Sequence, residues 1–246
     1  MKISAIVLAY NEEDRIQKCL RALNFASEII VVDNRSRDKT VAIAKKNKAR
    51  ILSVVSSDFS HLRNLGAGSA RFDWLLFVDA DEIVSKELAA EIKEAEAYDF
   101  SAFYLPRQNY YFGHIFPYRE RMIRLIKKDA LVGWRGFIHE TAMVKGTIGQ
   151  LKNPLLHFTH NDLNRMVEKT NRWSAAEAQL RLAANHPPVS WWRLIRVMAS
   201  SFWKSYVTEK GYRAKSYGII ESIYQSFSIF ITYAKLWELQ NKKRKS

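Results

Sequence analysis

The chain has 246 residues, of which 48% are hydrophobic, and it carries a formal net charge of +14. A content this apolar excludes an intrinsically disordered protein, and the length allows one sizeable domain or one domain with an extension. The single cysteine, Cys19, excludes a disulfide framework and a cysteine-based zinc site. The first apolar run is too short for the core of a signal peptide, so we expect a cytoplasmic protein.

The excess positive charge lies in the later part of the chain. Residues 1–100 contain 15 Lys and Arg against 16 Asp and Glu, whereas residues 101–246 contain 24 against 9. Such an asymmetry indicates an anionic partner, which on charge alone is a nucleic acid, a membrane surface or an acidic substrate.

Strand-like and helix-like segments alternate through the first hundred residues. Short apolar runs predict strands that are covered on both faces, at 3–10, 28–33, 49–55 and 73–79. Helices are predicted between them, at 12–26, 38–48 and 60–71. This alternation predicts a mainly parallel α/β sheet with flanking helices.

The remainder of the chain divides near residue 160. From 101 to 158 the pattern is shorter and rougher, and we expect further strands and loops that extend the sheet. Beyond it, helices are predicted at about 162–184, 190–207 and 214–238, with a break at the prolines of "NHPP". We therefore predict one domain at 1–160 and a helical C-terminal extension at 161–246.

Polar and largely acidic residues follow three of the predicted strands. They are Tyr10, Asn11, Glu12 and Glu13, then Asp33, Asn34, Arg35 and Ser36, then Asp79, Ala80, Asp81 and Glu82. Ligands bind at the carboxyl ends of the strands in an open α/β sheet, so these segments should share one site. Massed carboxylates there indicate Mg²⁺ or Mn²⁺ between the protein and substrate phosphates, although an isolated Asp-x-Asp more often caps the next helix.

Four of these motifs carry a family resemblance. "VLAYNEE", "VVDNRSRDKT", "RNLGAGSA" and "FVDADE" resemble the nucleotide-sugar-binding half of family 2 glycosyltransferases, which have the GT-A fold. "WRGFIHE" and "YVTEKGYRAKSYGIIES" are similar to bacterial lipopolysaccharide-core enzymes of that family. The resemblance implies a nucleotide-sugar-binding half at 1–100 and an acceptor-side half at 101–160. It also implies sugar transfer from a donor, expected to be UDP-linked, to a lipid-linked or lipopolysaccharide-core-type glycan.

The resemblance implies roles for individual residues. The residues expected to bind the donor are Tyr10, Asn11, Glu13, Asp33, Arg63, Asn64, Asp79 and Ala80. Asp81 is expected to be the direct metal ligand, and Asp79 to contact the ribose or the metal. His139 and Glu140 fall where related enzymes place a histidine–glutamate pair near the acceptor. His139 is either a metal or phosphate contact or a partner of such a contact.

Sugar transfer requires stabilisation of a departing diphosphate and removal of a proton from the acceptor hydroxyl. Glu140 is the first candidate for the general base and Glu82 the second, and the alternative for Glu140 is a structural ion pair with an arginine. One displacement with one base predicts inversion at the anomeric carbon. The Gln-x-x-Arg-Trp motif of processive synthases does not occur in the sequence, so we expect one sugar per acceptor.

Two further groups of residues have open interpretations. A basic cluster is either a solvated strand face or a contact for an anionic substrate, and it comprises Arg119, Arg121, Arg124, Lys127 and Lys128. His157 and His160 have a spacing found at metal sites, although a lone histidine pair is more often structural.

The helical extension has a basic and a Trp-containing apolar face at 190–206, which is typical of a membrane interface. The segment 217–237 approaches the length of a bilayer span, but Glu221 and Gln225 disfavour spanning. An amphipathic helix is expected instead, with five side chains buried: Ile220, Ile223, Tyr224, Phe227 and Ile231. We expect the extension either to lie on the inner face of the plasma membrane or to pack on the domain or pair two subunits of a homo-oligomer.

Two rival functions remain at this point. A nucleotidyltransferase also places metal-binding carboxylates on an α/β sheet, but it usually has a glycine-rich phosphate loop where this chain has "AYNEE". A non-catalytic basic module that binds RNA or membrane explains the charge but leaves the acidic strand ends unexplained. We expect the glycosyltransferase, acting at a membrane and without a nucleic-acid partner.

Overall fold

The computed structural model describes residues 1–136, 140–159 and 162–245. The chain forms two compact units, one of residues 1–108 and 119–157 and the other of residues 109–118 and 158–246. The sequence-based boundary at 160 placed residues 109–118 in the first domain. They belong to the second unit because their aromatic rings stack there, Tyr110 on Phe158 and His114 on Tyr217.

The strands confirm the predicted mainly parallel α/β sheet. In chain order they are β1 Ile3–Ala9, β2 Glu28–Asp33, β3 Arg50–Ser53, β4 Trp74–Asp79, β5 Glu82–Val84, β6 Ala102–Tyr111, β7 His114–Lys127, β8 Leu131–Arg135, β9 Thr141–Val144, β10 Ile148–Gln150 and β11 Leu155–Thr159. The order in the main sheet is β3-β2-β1-β4-β7-β6-β11-β5, with β10 beside β6. β8 and β9 pair separately as an antiparallel ribbon.

The register of the central strands brings the predicted site residues to one edge. β1 is parallel to both β2 and β4, and Leu8 is level with Val32 on one side and Asp79 on the other. β7 then continues the sheet antiparallel to β4, with Leu125 opposite Leu76. Parallel strands in register end together, so the carboxyl ends of β1, β2 and β4 lie side by side.

Helices cover both faces of this sheet. The helices of the first unit are α1 Ile16–Ala22, α2 Thr40–Lys46, α3 Phe59–Ser69 and α4 Lys86–Glu94. Every residue of β1 is buried, and its side chains alternate between two apolar clusters. Ala5 and Val7 share one cluster with Leu20 of α1, whereas Ile6 and Leu8 share the other with Leu62 of α3. Burial on both faces explains why β1 reads as a continuous apolar run.

A glycine allows α3 to lie directly on the sheet. Asp58 caps this helix by accepting hydrogen bonds from the amides of Ser60 and His61. A Cβ on Gly66 would overlap Cγ2 of Ile6 and lie 3.2 Å from Cγ2 of Val32. The close approach fixes the helix against β1 and β2, and it brings Arg63, three residues earlier, to the site edge.

The second unit contains α5 Leu163–Ala183, α6 Trp191–Trp203 and α7 Lys215–Lys245. The hydroxyl of Tyr224 on α7 donates to the carbonyl oxygen of Met166 on α5 at 2.8 Å. On the α6 side, Ser226 Oγ donates to the carbonyl oxygen of Met198 at 3.0 Å. None of the helices in the described ranges combines the length and the apolar character that a bilayer crossing requires.

The predicted buried face of α7 is wrong for three of its five residues, whereas Tyr224 and Ile231 are half-buried. Ile220, Ile223 and Phe227 are 41%, 56% and 38% exposed, whereas Ser222 and Ser226 are buried. The small and polar residues face the neighbouring helices because they allow close approach and bond to backbone carbonyls, as Ser226 does. Ile220, Ile223 and Phe227 therefore point away from the helix contacts.

Candidate active site

The loops after β1 and β2 are joined to each other. Asn11 N donates to Ser36 Oγ at 2.9 Å, and Asn11 Oδ1 accepts from Arg37 N at 2.8 Å. Glu13 Oε2 accepts from Lys39 N at 3.0 Å. Asn11 has a left-handed backbone with φ of 54°, a conformation that asparagine tolerates better than most residues. Asn11 and Glu13, which are predicted to bind the donor, therefore also hold the two loops together.

Asp33 is the last residue of β2, and its side chain is only 2% exposed. Both of its carboxylate oxygens accept from Ser36 N at 3.3 Å. Tyr10, at the neighbouring strand end, is 41% exposed. The edge therefore presents a fixed acid beside an accessible aromatic ring.

Asp79 is held by two buried arginines. Arg63 Nη2 lies 2.9 Å from Asp79 Oδ1, and Arg124 Nη2 lies 2.9 Å from Asp79 Oδ2. Both arginines are 1% exposed. Burial opposes ionisation of the Asp79 carboxyl, but the charges of Arg124 and Arg63 outweigh it and hold its pKa far below the usual range. An arginine pairs with each Asp79 oxygen, and the expected contact of Asp79 with the ribose or the metal stays a prediction.

Glu82 is fully buried beneath Asp79. Its Oε2 accepts from the Asp79 amide at 2.8 Å, and its Oε1 lies 3.4 Å from Arg107 Nη1. Burial raises the pKa of Glu82, the charge of Arg124 opposes that rise, and the charge of Asp79 adds to it. Glu82 is 0% exposed and both of its oxygens have protein partners, so these contacts give no support to its predicted role as second candidate for the general base.

Arg63 also contacts Glu140. Arg63 Nε donates to Glu140 Oε1 at 2.9 Å, and the guanidinium lies 4.8 Å from the ring centre of Trp134. The one side chain thus joins Glu140 to Asp79. His139, the other half of the predicted histidine–glutamate pair, lies outside the described residues.

Asn64 and Ala80 have structural contacts. Asn64 Nδ2 donates to the carbonyl oxygen of Trp134 at 3.0 Å, and Asn64 Oδ1 accepts from Trp134 N at 2.8 Å. Both ends of the amide are therefore used to fix α3 against β8, which is at odds with the predicted donor contact. Ala80 is 3% exposed, and its amide donates to the carbonyl oxygen of Leu8 at 3.1 Å.

Asp81 is paired with a histidine from a distant strand. His157 Nε2 on β11 lies 3.2 Å from Asp81 Oδ2, and Arg15 Nη1 lies 3.8 Å from the same oxygen. The two side chains are 13% and 12% exposed. Carboxylate oxygen and imidazole nitrogen are both donors for a divalent cation such as Mn²⁺. No three His, Cys, Asp or Glu side chains converge on a cation site within the described ranges. An ion held by the Asp81–His157 pair would take its other ligands from substrate and water.

The buried arginines retain unused donors. Arg63 Nη1, Arg107 Nε, and Nε and Nη1 of Arg124 find no hydrogen-bond acceptor among the described residues. A buried polar group left unpaired costs about 1–3 kcal/mol, and more if it is charged. Donors of this kind at the carboxyl end of a sheet suit the oxygens of a phosphate.

Sequence reasoning missed part of this arrangement. The sequence left Arg124 open, either as part of a solvated strand face or as a contact for an anionic substrate, and the structure shows that it is buried, whereas Arg121 on the same strand is exposed. The signal for Arg124 was its position between Ile123 and Leu125 in an apolar stretch. Arg107 carried no comparable signal, because its partner Glu82 becomes visible only through strand order.

Known proteins resemble this chain in sequence and in fold. Residues 4–148 match the sequence model described as Glycosyl transferase family 2, a range that runs from β1 to β10. An uncharacterised glycosyltransferase of Rickettsia typhi is 29% identical over 262 residues, covering 99% of this chain and 89% of the relative. The lipopolysaccharide core biosynthesis glycosyltransferase LpsC of Rhizobium meliloti is 24% identical over 251 residues, covering 97% and 93%.

A solved structure shares the fold. It is TarS of S. aureus, residues 1–349, in complex with UDP-GlcNAc, with a TM-score of 0.51 at 12% identity over 100% of this chain and 92% of that one. The family match spans more than half of the chain and includes the ends of β1, β2 and β4. The chain therefore belongs to glycosyltransferase family 2, and it is an enzyme of that class.

Proposed function

We propose that the enzyme transfers one sugar from a UDP-linked donor to a lipid-linked or lipopolysaccharide-core-type glycan, with inversion at the anomeric carbon. The observation that carries the proposal is the contact of Arg63 with both Glu140 and Asp79, which sets an acceptor-side carboxylate beside cationic donors at one edge. The relative LpsC, named for lipopolysaccharide core biosynthesis, supports this acceptor class. The complex of TarS with UDP-GlcNAc supports the donor.

The donor is held along the edge formed by β1, β2 and β4. Asp33, fixed by the Ser36 amide, accepts a hydrogen bond from the base, and the exposed ring of Tyr10 packs beside it. The buried guanidinium groups of Arg63 and Arg124 contribute positive charge near the diphosphate of the donor. Asp79 orients both guanidinium groups by contributing one oxygen to each.

Asp81 and His157 are the residues that would hold a divalent cation, Mg²⁺ or Mn²⁺. When bound, such an ion supplies stabilisation of the negative charge that develops on the leaving diphosphate. Glu82 contributes by position: it accepts from the Asp79 amide and so fixes the turn that carries Asp81.

Glu140 serves as the general base. The acceptor oxygen forms a bond to the anomeric carbon while the bond from that carbon to the diphosphate oxygen breaks, and the diphosphate leaves with the electron pair. The hydroxyl proton passes to Glu140 Oε2, because both contacts with Arg63 use Oε1. A single displacement from the opposite side inverts the anomeric carbon.

Family membership removes the two rival functions, the nucleotidyltransferase and the non-catalytic binding module. Addition of one sugar per acceptor remains part of the proposal, supported by the lack of a Gln-x-x-Arg-Trp motif in the sequence.

Thermal unfolding with UDP-, GDP- and dTDP-sugars, each with and without Mn²⁺ or Mg²⁺, tests the donor. We expect UDP-sugars to stabilise the protein only with metal, by about 2.7 kcal/mol at a concentration one hundred times Kd. Stabilisation confined to another nucleotide would overturn the donor assignment. With the donor known, the anomeric configuration of the product, read by NMR, tests inversion.

A further inference from the structure

Two helices of the second unit expose large apolar side chains. On α6, Trp192, Ile195 and Trp203 are 62%, 51% and 63% exposed. On α7, Ile223, Phe227 and Trp237 are 56%, 38% and 52% exposed. We call these six residues the aromatic face. On each helix they recur at intervals of three, four, eight or ten residues, which keeps them on one side of that helix.

Both halves of the aromatic face lie on the same side of the α6–α7 pair. On α7, Ser222 and Ser226 face α6. Ile223 and Phe227 each follow one of these serines by one residue. One residue of an α-helix corresponds to a rotation of about 100°, so the exposed stripe of α7 lies about 100° from the contact with α6. On α6, the residue after Met198 likewise begins the exposed side. The helices run antiparallel, because Ser205 meets Ser222 while Val189 meets Gln240. On each helix the exposed stripe is offset in the same rotational sense from the contact between the helices. Because the helices are antiparallel, this offset places both stripes on the same side of the pair.

Positive charge predominates in the part of the chain that carries this face. Residues 158–246 contain 15 Lys and Arg against 6 Asp and Glu. Between residues 190 and 217 there are six Lys and Arg and one acid, Glu209. Arg196 is exposed within the α6 stripe, and the Lys204 side chain, at its end, is 74% exposed.

We propose that the aromatic face docks on a bilayer surface that contains anionic phospholipid. Tryptophan rings suit the boundary between headgroups and acyl chains, and basic side chains around them attract anionic headgroups. A second copy of the chain fits less well, because a two-fold interface would bring the basic residues of both copies together. The helices lie along the surface, since none in the described ranges can cross a bilayer.

Sedimentation of the whole chain with vesicles tests this docking. We use phosphatidylcholine alone or mixed equally with phosphatidylglycerol, and we expect binding to the anionic vesicles that weakens as salt rises. Trp192→Ser combined with Trp203→Ser should weaken the partition by roughly tenfold or more. Arg196→Gln combined with Lys204→Gln should weaken it by about fivefold per charge on anionic vesicles alone.

Matched controls lie on the first unit. Tyr98→Ser removes an aromatic ring that is 58% exposed, and Lys45→Gln with Lys46→Gln removes two exposed charges from α2. Both should bind as the parent does. Quenching of tryptophan fluorescence by brominated phosphatidylcholine checks insertion in the unaltered protein, whether or not a variant folds.

Three outcomes would overturn the proposal. They are an unaltered protein that stays in the supernatant with anionic vesicles, a tryptophan variant that binds undiminished, and a dimer in sedimentation velocity that the tryptophan variant converts to monomer. The last result would assign the face to a second copy of the chain.

Discussion

His157 Nε2 lies 3.2 Å from Asp81 Oδ2, although 76 residues separate them in the chain. The contact arises because β11 runs antiparallel to β5, which follows Asp81 directly and places His157 opposite Glu82. A strand from late in the first unit thus lies beside the acidic turn that follows β4. This position gives His157 a carboxylate partner, Asp81, that its spacing to His160 did not indicate.

Replacing His157 by alanine should weaken metal binding. Loss of the imidazole nitrogen leaves Asp81 as the remaining member of the pair, and we expect the apparent affinity for Mn²⁺ in the presence of UDP to fall at least tenfold. Isothermal titration measures that affinity. His61→Ala, which removes an exposed imidazole from α3, should leave it unchanged. Equal metal affinity in the His157 variant would remove this residue from the cation site.

Glu140→Gln should abolish proton removal and retain donor binding. The amide keeps the size of the side chain but cannot take the hydroxyl proton, so kcat should fall by roughly 10²–10⁴-fold. Steady-state transfer assays give kcat, and titration with UDP checks the donor site. Glu87→Gln, an exposed change at the start of α4, is the control. Undiminished kcat would mean that the Glu140–Arg63 ion pair is structural.

Arg124→Met should destabilise the first unit strongly. The substitution leaves Asp79 without one of its two arginine partners. It also removes the positive charge that offsets the repulsion between the carboxylates of Asp79 and Glu82. Removal of one partner from a buried pair lowers the free energy of unfolding by about 3 kcal/mol. Urea unfolding measures the change. Arg121→Met, at an exposed position of the same strand, should shift stability by less than about 0.5 kcal/mol.

Two glycines of α3 should respond in opposite directions to alanine. Gly66→Ala forces a methyl group into Ile6 and should lower the free energy of unfolding by about 1–3 kcal/mol. Gly68→Ala meets nothing within 4 Å and should raise it by up to about 1 kcal/mol, because alanine favours the helix. Thermal unfolding of the pair compares them directly. Equal effects would show that α3 does not press on β1 at Gly66.

Glu28→Gln should reduce stability at neutral pH and have little effect in acid. Burial opposes ionisation of Glu28, but hydrogen bonds from Ser4 Oγ and the Arg71 amide, with the charge of Arg50, lower its pKa below the ordinary 4.5. A lowered folded-state pKa stabilises the fold above the unfolded value and loses that contribution as pH falls through the folded value.

We therefore expect the Glu28 variant to lose about 1–2 kcal/mol at pH 7, with a difference that shrinks below about pH 4. Urea unfolding across this range measures it. Glu94→Gln, exposed at the end of α4, should show no such trend. A difference that stays constant with pH would assign the effect to packing rather than charge.

Much of the fold was predictable because it depends on local patterns. Strands β1, β2 and β4 lie within about one residue of their predicted bounds, since burial on both faces leaves a continuous apolar run. The exposed side of α7 was predicted wrongly, because a serine that bonds to a neighbouring carbonyl reads in sequence as a surface residue. Ser226 shows this, as it is buried against Met198.

The sequence by itself determined the α/β architecture, the acidic strand ends and the family, since these depend on residue types at short spacings. Only the tertiary structure decided the partners. Arg63 and Arg124 reach Asp79 from 16 and 45 residues away, the second because β7 lies antiparallel beside β4. Contacts at such separations depend on strand order and register, which local patterns do not encode. For that reason the ion pairs of Asp79 with two arginines and the contact of Asp81 with His157 could be found only in the tertiary structure.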